Sequence, residues 1–345
     1  MFDTVFSSPA AVAATDERAW VAAMLEVEAA LARALARAGL VPPGAAATIA
    51  AACGAIDPDP WPGAAVAATP VIALVEALRS AVPLPDRRFV HYGATSQDIV
   101  DSAMMLVAHR VLLTVAQDLA GITERLAALV ESHGTTPQLG RTLMRSAVPS
   151  TFGAVVSAWL TAVEAARAGL ARWRPALQLG GPVGTRTEWG PDVDRVVADV
   201  ADQLGLAAVP PWHTDRTRVA ELAAALGICA GTLAKVAGDV ILLSQDEIGE
   251  LSEATSGGSS AMPGKRNPAR AVLVVACAHR APAFVATLLA GMPQELQRAA
   301  GRWQAEWPTL TDLLRVVAGA AHHGRAMLDD LVVHPDRMAE RVTGR

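Results

Sequence analysis

The segment from Ser252 to Pro268, SEATSGGSSAMPGKRNP, holds more usable chemistry than any other stretch of the chain. Gly257 and Gly258 allow a tightly turned backbone, and Ser259 and Ser260 supply hydroxyls. Met262 follows, and then Lys265 and Asn267 add a cation and an amide just before a helix opened by Pro268. An anion is expected there, because the first N–H groups of a helix have no partner within it. A serine at its ordinary pKa is a poor base toward a C–H bond. Backbone amides and Lys265 are the groups here that could stabilise an ionised hydroxyl. A polar connection capped by Asn267 is the competing reading.

Fixed donors act most where negative charge develops, and further donors must come from other parts of the chain. Two segments can supply them. HYGATSQDIVDSA, from His91 to Ala103, offers the Thr95 and Ser96 hydroxyls, with Gln97 and Asp98 at a helix start, where Ser96 could equally be a plain cap. GRTLMRSAVPSTFG, from Gly140 to Gly153, offers Arg141, Thr142 and Arg145, against the alternative of a cationic turn. Arg298 and Arg302 are spaced to share a helix face, as a cation pair or as solvated side chains. His91 and His213 are the histidines nearest these blocks, each a proton donor or a structural side chain. GGPVGT at 180–185 follows no strand and reads as a loop.

The elements that must position these groups are helices. Ala, Leu, Arg and Glu dominate, and few segments alternate at period two, so the chain reads as all-α with marginal sheet. Val219, Leu222, Leu226, Cys229, Leu233, Val236, Val240 and Leu243 recur at steps of three and four, which predicts a long bundle helix over about 216–250. Further helices are expected near 98–131, 150–174 and 303–331, with loops at 134–149, 180–191 and 205–212. Pro42, Pro43, Pro58, Pro60, Pro62, Pro83 and Pro85 break the first part into shorter helices. The expected organisation is an N-terminal helical domain over 1–94, a central long-helix bundle over 95–332 and a short remnant over 333–345. Trp303 and Trp307, one turn apart, read as packing residues.

With 345 residues and 52% apolar content the chain can bury a large core. A net charge of -5 gives no electrostatic case for nucleic acid. Cys53, Cys229 and Cys277 lack metal-ligand spacing, the histidines form no HExxH pair, and no metal site is expected. Apolar runs such as 271–278 are cut by charge before the ~18 residues of a membrane span, and no leader pattern precedes them, so a cytoplasmic location is expected.

GSSAMPGKRNP resembles the signature loop of the fumarase, aspartase and argininosuccinate lyase superfamily. The resemblance implies that Ser259 is the general base on a loop that closes over substrate, and that Lys265 and Asn267 bind substrate. HYGATSQDIVDSA resembles its TSxD block, with Thr95 and Ser96 on a substrate carboxylate, and Arg141 and Thr142 match substrate-orienting residues. Several branches carry a histidine after GRT, whereas this chain has Leu143, a departure that resembles the 3-carboxy-cis,cis-muconate cycloisomerases of aromatic degradation. TPVIALVEALR, PWHTDRTRVAEL and QRAAGRWQAEWPTL resemble the same branch. That branch implies a tricarboxylate substrate met by Arg141, Arg145, Lys265, Arg298 and Arg302. It also implies no cofactor, a homotetramer with shared active sites, and a third C-terminal domain for which the chain leaves only a remnant. A lyase releasing fumarate from a substituted succinate is the alternative activity, and a non-catalytic helical scaffold the alternative of another class.

Overall fold

The computed structural model describes residues 2–57, 64–255 and 257–343. Pro58, Pro60 and Pro62 lie outside the described residues, as does Ser256. The first part runs through α1 (Phe2–Phe6), α2 (Pro9–Thr15), α3 (Glu17–Arg37), α4 (Pro43–Ala55), α5 (Ala64–Ala67) and α6 (Val71–Ala81). Asp16 starts α3 by accepting the Ala19 N–H at 2.7 Å, satisfying one of its orphan donors. The buried face of α3 lies against α4, α7 (Ser96–His133) and α9 (Val193–Leu204).

The bundle is built by α7 with α8 (Phe152–Arg172), α10 (Thr217–Leu243), α11 (Ala269–Ala290) and α12 (Arg302–Asp329). All eight residues of the stripe from Val219 to Leu243 are buried, and they are covered by helices of this same chain, chiefly through the contacts of α10 with α8, α11 and α12. The stripe therefore accounts for the fold of one copy and does not by itself call for another. The helix also ends at Leu243 rather than near 250. Apolar periodicity stops there, Ser244 Oγ bonds back to the Val240 carbonyl at 2.6 Å, and the Glu250 N–H closes the turn onto Leu243.

The expected loop at 134–149 is instead largely an antiparallel hairpin of β1 (Pro137–Thr142) and β2 (Arg145–Thr151), with Thr142 opposite Arg145. Its two-residue turn is Leu143–Met144, at φ 49° and 62°. A turn with both central residues left-handed suits the twist of a hairpin, but it is normally signalled by Asn-Gly, and that signal is missing here. β3 (Leu251–Glu253) pairs with β4 (Leu331–Val333), and α13 (Pro335–Thr343) rests on β1.

Among the described residues four helices, α7, α8, α10 and α11, are long and apolar enough by length and composition to cross a bilayer, contrary to the expectation that charge interrupts every such run. Their few charges leave whole windows almost uncharged. The window in α7 is 67% buried, whereas those in α8 and α11 are each only 28% buried.

Candidate functional site

The expected site residues fall into two groups at opposite ends of the bundle. At the first end, Thr95 is the residue from which α7 starts, and the Asp98 carboxylate accepts its N–H at 3.1 Å. The helix cap is thus Thr95 rather than Ser96. Thr95 Oγ1 accepts a 2.6 Å hydrogen bond from Arg298, which also donates to the Pro182 carbonyl at 3.2 Å. Arg298 precedes α12 instead of lying on it, so it shares no helix face with Arg302, whose guanidinium pairs with Glu295 at 3.1 Å.

Gln97 and Asp98 are fully buried and act as a frame. Asp98 accepts from Gln178 Nε2 at 2.9 Å and from the Gly180 and Gly181 N–H groups at 2.7 and 2.9 Å, which ties the 180–185 loop into this corner. A Cβ on Gly180 would come within 2.4 Å of His213 Cε1, so the loop can approach that ring only as glycine. His213 is buried. Its Nε2 lies 3.3 Å from Asp98 Oδ1, within ion-pair range yet outside hydrogen-bond geometry, and among the described residues it has no hydrogen-bond partner. Its carbonyl is fixed by Gln97 Nε2 at 2.7 Å and Arg216 at 3.3 Å. Arg216 is itself buried between Asp101 and Glu306, and Trp303 Nε1 donates to Asp101 at 2.9 Å. Trp303 stacks edge-on against Trp307, with centroids 4.8 Å apart, as packing residues do. His91 completes the corner, with Nδ1 2.5 Å from Glu28.

At the second end, Arg141 forms an ion pair with the fully buried Glu250 at 2.5 Å, and Gln138 donates to the same carboxylate at 2.8 Å. Thr142 and Arg145 are exposed at the hairpin tip beside Leu143, which is 97% exposed. The loop carrying Ser259 closes with an isolated bridge between Gly257 and Asn267, and the Asn267 amide donates to the Gly257 carbonyl at 3.3 Å and the Gly258 carbonyl at 3.4 Å. Ser259 Oγ accepts the N–H groups of Ala261 at 3.3 Å and Met262 at 3.1 Å, which places two fixed dipoles on the oxygen that would become an alkoxide. Ser260, Met262 and Lys265 are exposed, and among the described residues the Lys265 side chain has no hydrogen-bond or ion-pair partner.

The start of α11 corrects one expectation. Glu253 accepts the N–H groups of Arg270 at 3.2 Å and Ala271 at 2.9 Å, so the helix terminus is already satisfied by the chain's own carboxylate. Glu253, Glu250 and Glu28 were not anticipated as functional. The available signal was an acidic residue in an otherwise core-facing slot, as with Glu28 between Leu25 and Leu31.

Comparison with known proteins gives concordant findings. A family profile described as Lyase matches residues 6–282. The 3-carboxy-cis,cis-muconate cycloisomerase of Pseudomonas aeruginosa is 44% identical over 351 residues, covering 98% of this chain and 76% of the relative. The nitrosuccinate lyase of Streptomyces davaonensis is 41% identical, covering 94% and 73%. The crystal structure of the 3-carboxy-cis,cis-muconate lactonizing enzyme from Pseudomonas putida superposes with a TM-score of 0.92 at 37% identity, covering 99% of this chain and 79% of that one.

Proposed function

Because the chain belongs to the lyase family of the fumarase/aspartase superfamily, we propose that it is a 3-carboxy-cis,cis-muconate cycloisomerase acting in the cytoplasm. A substrate carboxylate oxygen adds to a carbon–carbon double bond, and the displaced electron pair moves to the neighbouring carbon and into its carboxylate. The Ser259 hydroxyl protonates that carbon, giving the lactone, and regains a proton from solvent. In reverse, the Ser259 alkoxide removes the same proton and the ring oxygen leaves as a carboxylate.

The observation that carries this reading is Ser259 Oγ held by the Ala261 and Met262 amides, which stabilise its ionised form within the loop. Leu143 supports the choice of reaction. A carboxylate is a weak base, protonated only near pH ~4, and needs no acid to depart. An amine leaving group does need one, and the hairpin position that resembles the family's histidine carries none.

Thr95, Ser96, Arg298 and His91 bind carboxylates in this reading, and Arg141, Thr142, Arg145, Lys265 and Asn267 bind and orient from the other end. Since α7 has 38 residues and rises ~1.5 Å per residue, its two ends, where these groups stand, are about 57 Å apart along the helix in one copy. A single site containing both must therefore draw on more than one subunit. The apolar faces left uncovered on α8 and α11 support a homotetramer.

The test is the loss of diene absorbance when purified protein meets 3-carboxy-cis,cis-muconate. Loss with the wild type but not with Ser259→Ala supports both substrate and base. No loss with the wild type, together with fumarate release from a substituted succinate, replaces this reading with a lyase.

A further inference from the structure

Glu28 occupies a core-facing slot of α3, 1% exposed, among Val21, Met24, Leu25, Leu31 and Leu35. A buried carboxylate in such surroundings is costly unless it is paired. Its partner is His91, 63 residues away, whose Nδ1 lies 2.5 Å from Oε1. His91 is held at φ 61°, a conformation that non-glycine residues seldom adopt, and so the backbone pays strain to keep this ring against α3. Among the described residues its Nε2 has no hydrogen-bond partner. Four residues on, Thr95 meets Arg298.

Resting on the reading of the Thr95 corner as a carboxylate-binding site, we propose that Glu28 is a positioning residue. It holds His91 as an imidazolium bonded through Nδ1, leaving Nε2–H as a fixed cationic donor to a substrate carboxylate beside Thr95 and Arg298. A carboxylate on one ring nitrogen sets the proton and orientation of the other, and a charged N–H is about twice as strong a donor as a neutral one.

The groups facing this pair come from three further elements. Burial opposes the imidazolium charge, the Glu28 carboxylate outweighs it through proximity and its hydrogen bond, Asp98 of α7 adds, and Arg79 of α6 opposes. The net effect raises the His91 pKa. Cys53 of α4 also lies within the field of Glu28, its thiol pushed up to about 12 by burial first and by that carboxylate second.

The experiment is an NMR pH titration of the His91 ring in the wild type, Glu28→Gln and Glu28→Asp, with His91→Asn to assign the signal. The wild-type ring is expected to titrate above the ordinary value of about 6.5, Glu28→Gln about a unit or more lower than wild type, and Glu28→Asp close to wild type. A wild-type ring titrating at or below the ordinary value overturns the proposal even if Glu28→Gln fails to fold. So does a titration unchanged in a folded Glu28→Gln.

Kinetics with 3-carboxy-cis,cis-muconate supply the second readout. Glu28→Gln should show roughly a tenfold rise in KM at pH 7.5, the loss of one charge-assisted contact, returning toward wild type at a pH below the midpoint its own ring shows in the titration, where both rings are protonated. A deficit equal at both pH values marks a merely structural role and overturns the proposal. If the wild type ignores this substrate, the functional reading fails while the titration still decides the role of Glu28.

Discussion

Thr95 and Arg141 stand at opposite ends of one helix, α7 carrying Thr95 just before its first residue and the hairpin of Arg141 just after its last. Each is anchored where it stands, Thr95 by Arg298 and Asp98, and Arg141 by Glu250. Side-chain motion cannot span a helix of about 57 Å, so the single site proposed above requires copies to associate.

Mixed inactive variants should therefore rescue one another. Ser259→Ala and Arg298→Ala are each expected to be inactive alone, and co-refolding them should restore a measurable part of the wild-type rate, because some assembled sites receive both intact ends. Activity no higher than the two separate samples, or a stable monomer in sedimentation, would sink the shared-site arrangement.

Ser259→Ala alone should lower kcat by about 10²–10⁴-fold, the usual worth of a positioned proton-transfer group, with little change in KM. Among the described residues its hydroxyl bonds only to amides of its own loop, so the melting temperature should match that of the wild type. A variant retaining more than a tenth of the wild-type kcat would remove serine from the proton transfer.

Glu253→Ala should destabilise the fold by about 1–3 kcal/mol, because it leaves two N–H groups at the start of α11 unpaired in a buried setting. Glu253→Gln, which keeps an accepting oxygen, should lose less. Denaturant unfolding of the three proteins gives the comparison, and equal midpoints would show that the cap contributes nothing.

The pair of Glu28 and His91 should also make stability depend on pH. The folded-state pKa of His91 is raised, so its contribution is complete below the unfolded value of about 6.5 and is lost as pH climbs through the folded value. The difference in unfolding free energy between the wild type and Glu28→Gln should thus be largest near pH 5.5 and shrink on the alkaline side. A difference that grows with pH would contradict this sign.

The apolar stripe of α10 was legible in the sequence because burial enforces its period, and the expected ends of the helices at 98–131, 150–174 and 303–331 fall within two residues of those observed. The hairpin was not legible. Its turn uses Leu143 and Met144 where left-handed geometry is usually written with Asn and Gly. Arg298 and Arg302 shared a helical spacing, but Gly301, at φ 101°, starts α12 between them, and a one-turn spacing means little across a helix boundary. The Ser259 loop, Thr95 and Arg141 stood out by residue type. Their separation along the bundle did not, since it depends on which way each helix runs. Glu28, Glu250 and Glu253 escaped notice because a buried acid looks like a surface acid until its neighbours are known.

Glu253 also bears on the base role proposed for Ser259. With the start of α11 already spent on that carboxylate, the helix lends little of its positive end to Ser259, and the loop must generate its own positive potential. The donors are Ala261 and Met262, two and three residues along the same strip of chain. On the reading proposed above, the serine is thus a self-contained cassette, with both amides that hold its oxygen drawn from the same eleven consecutive residues, GSSAMPGKRNP.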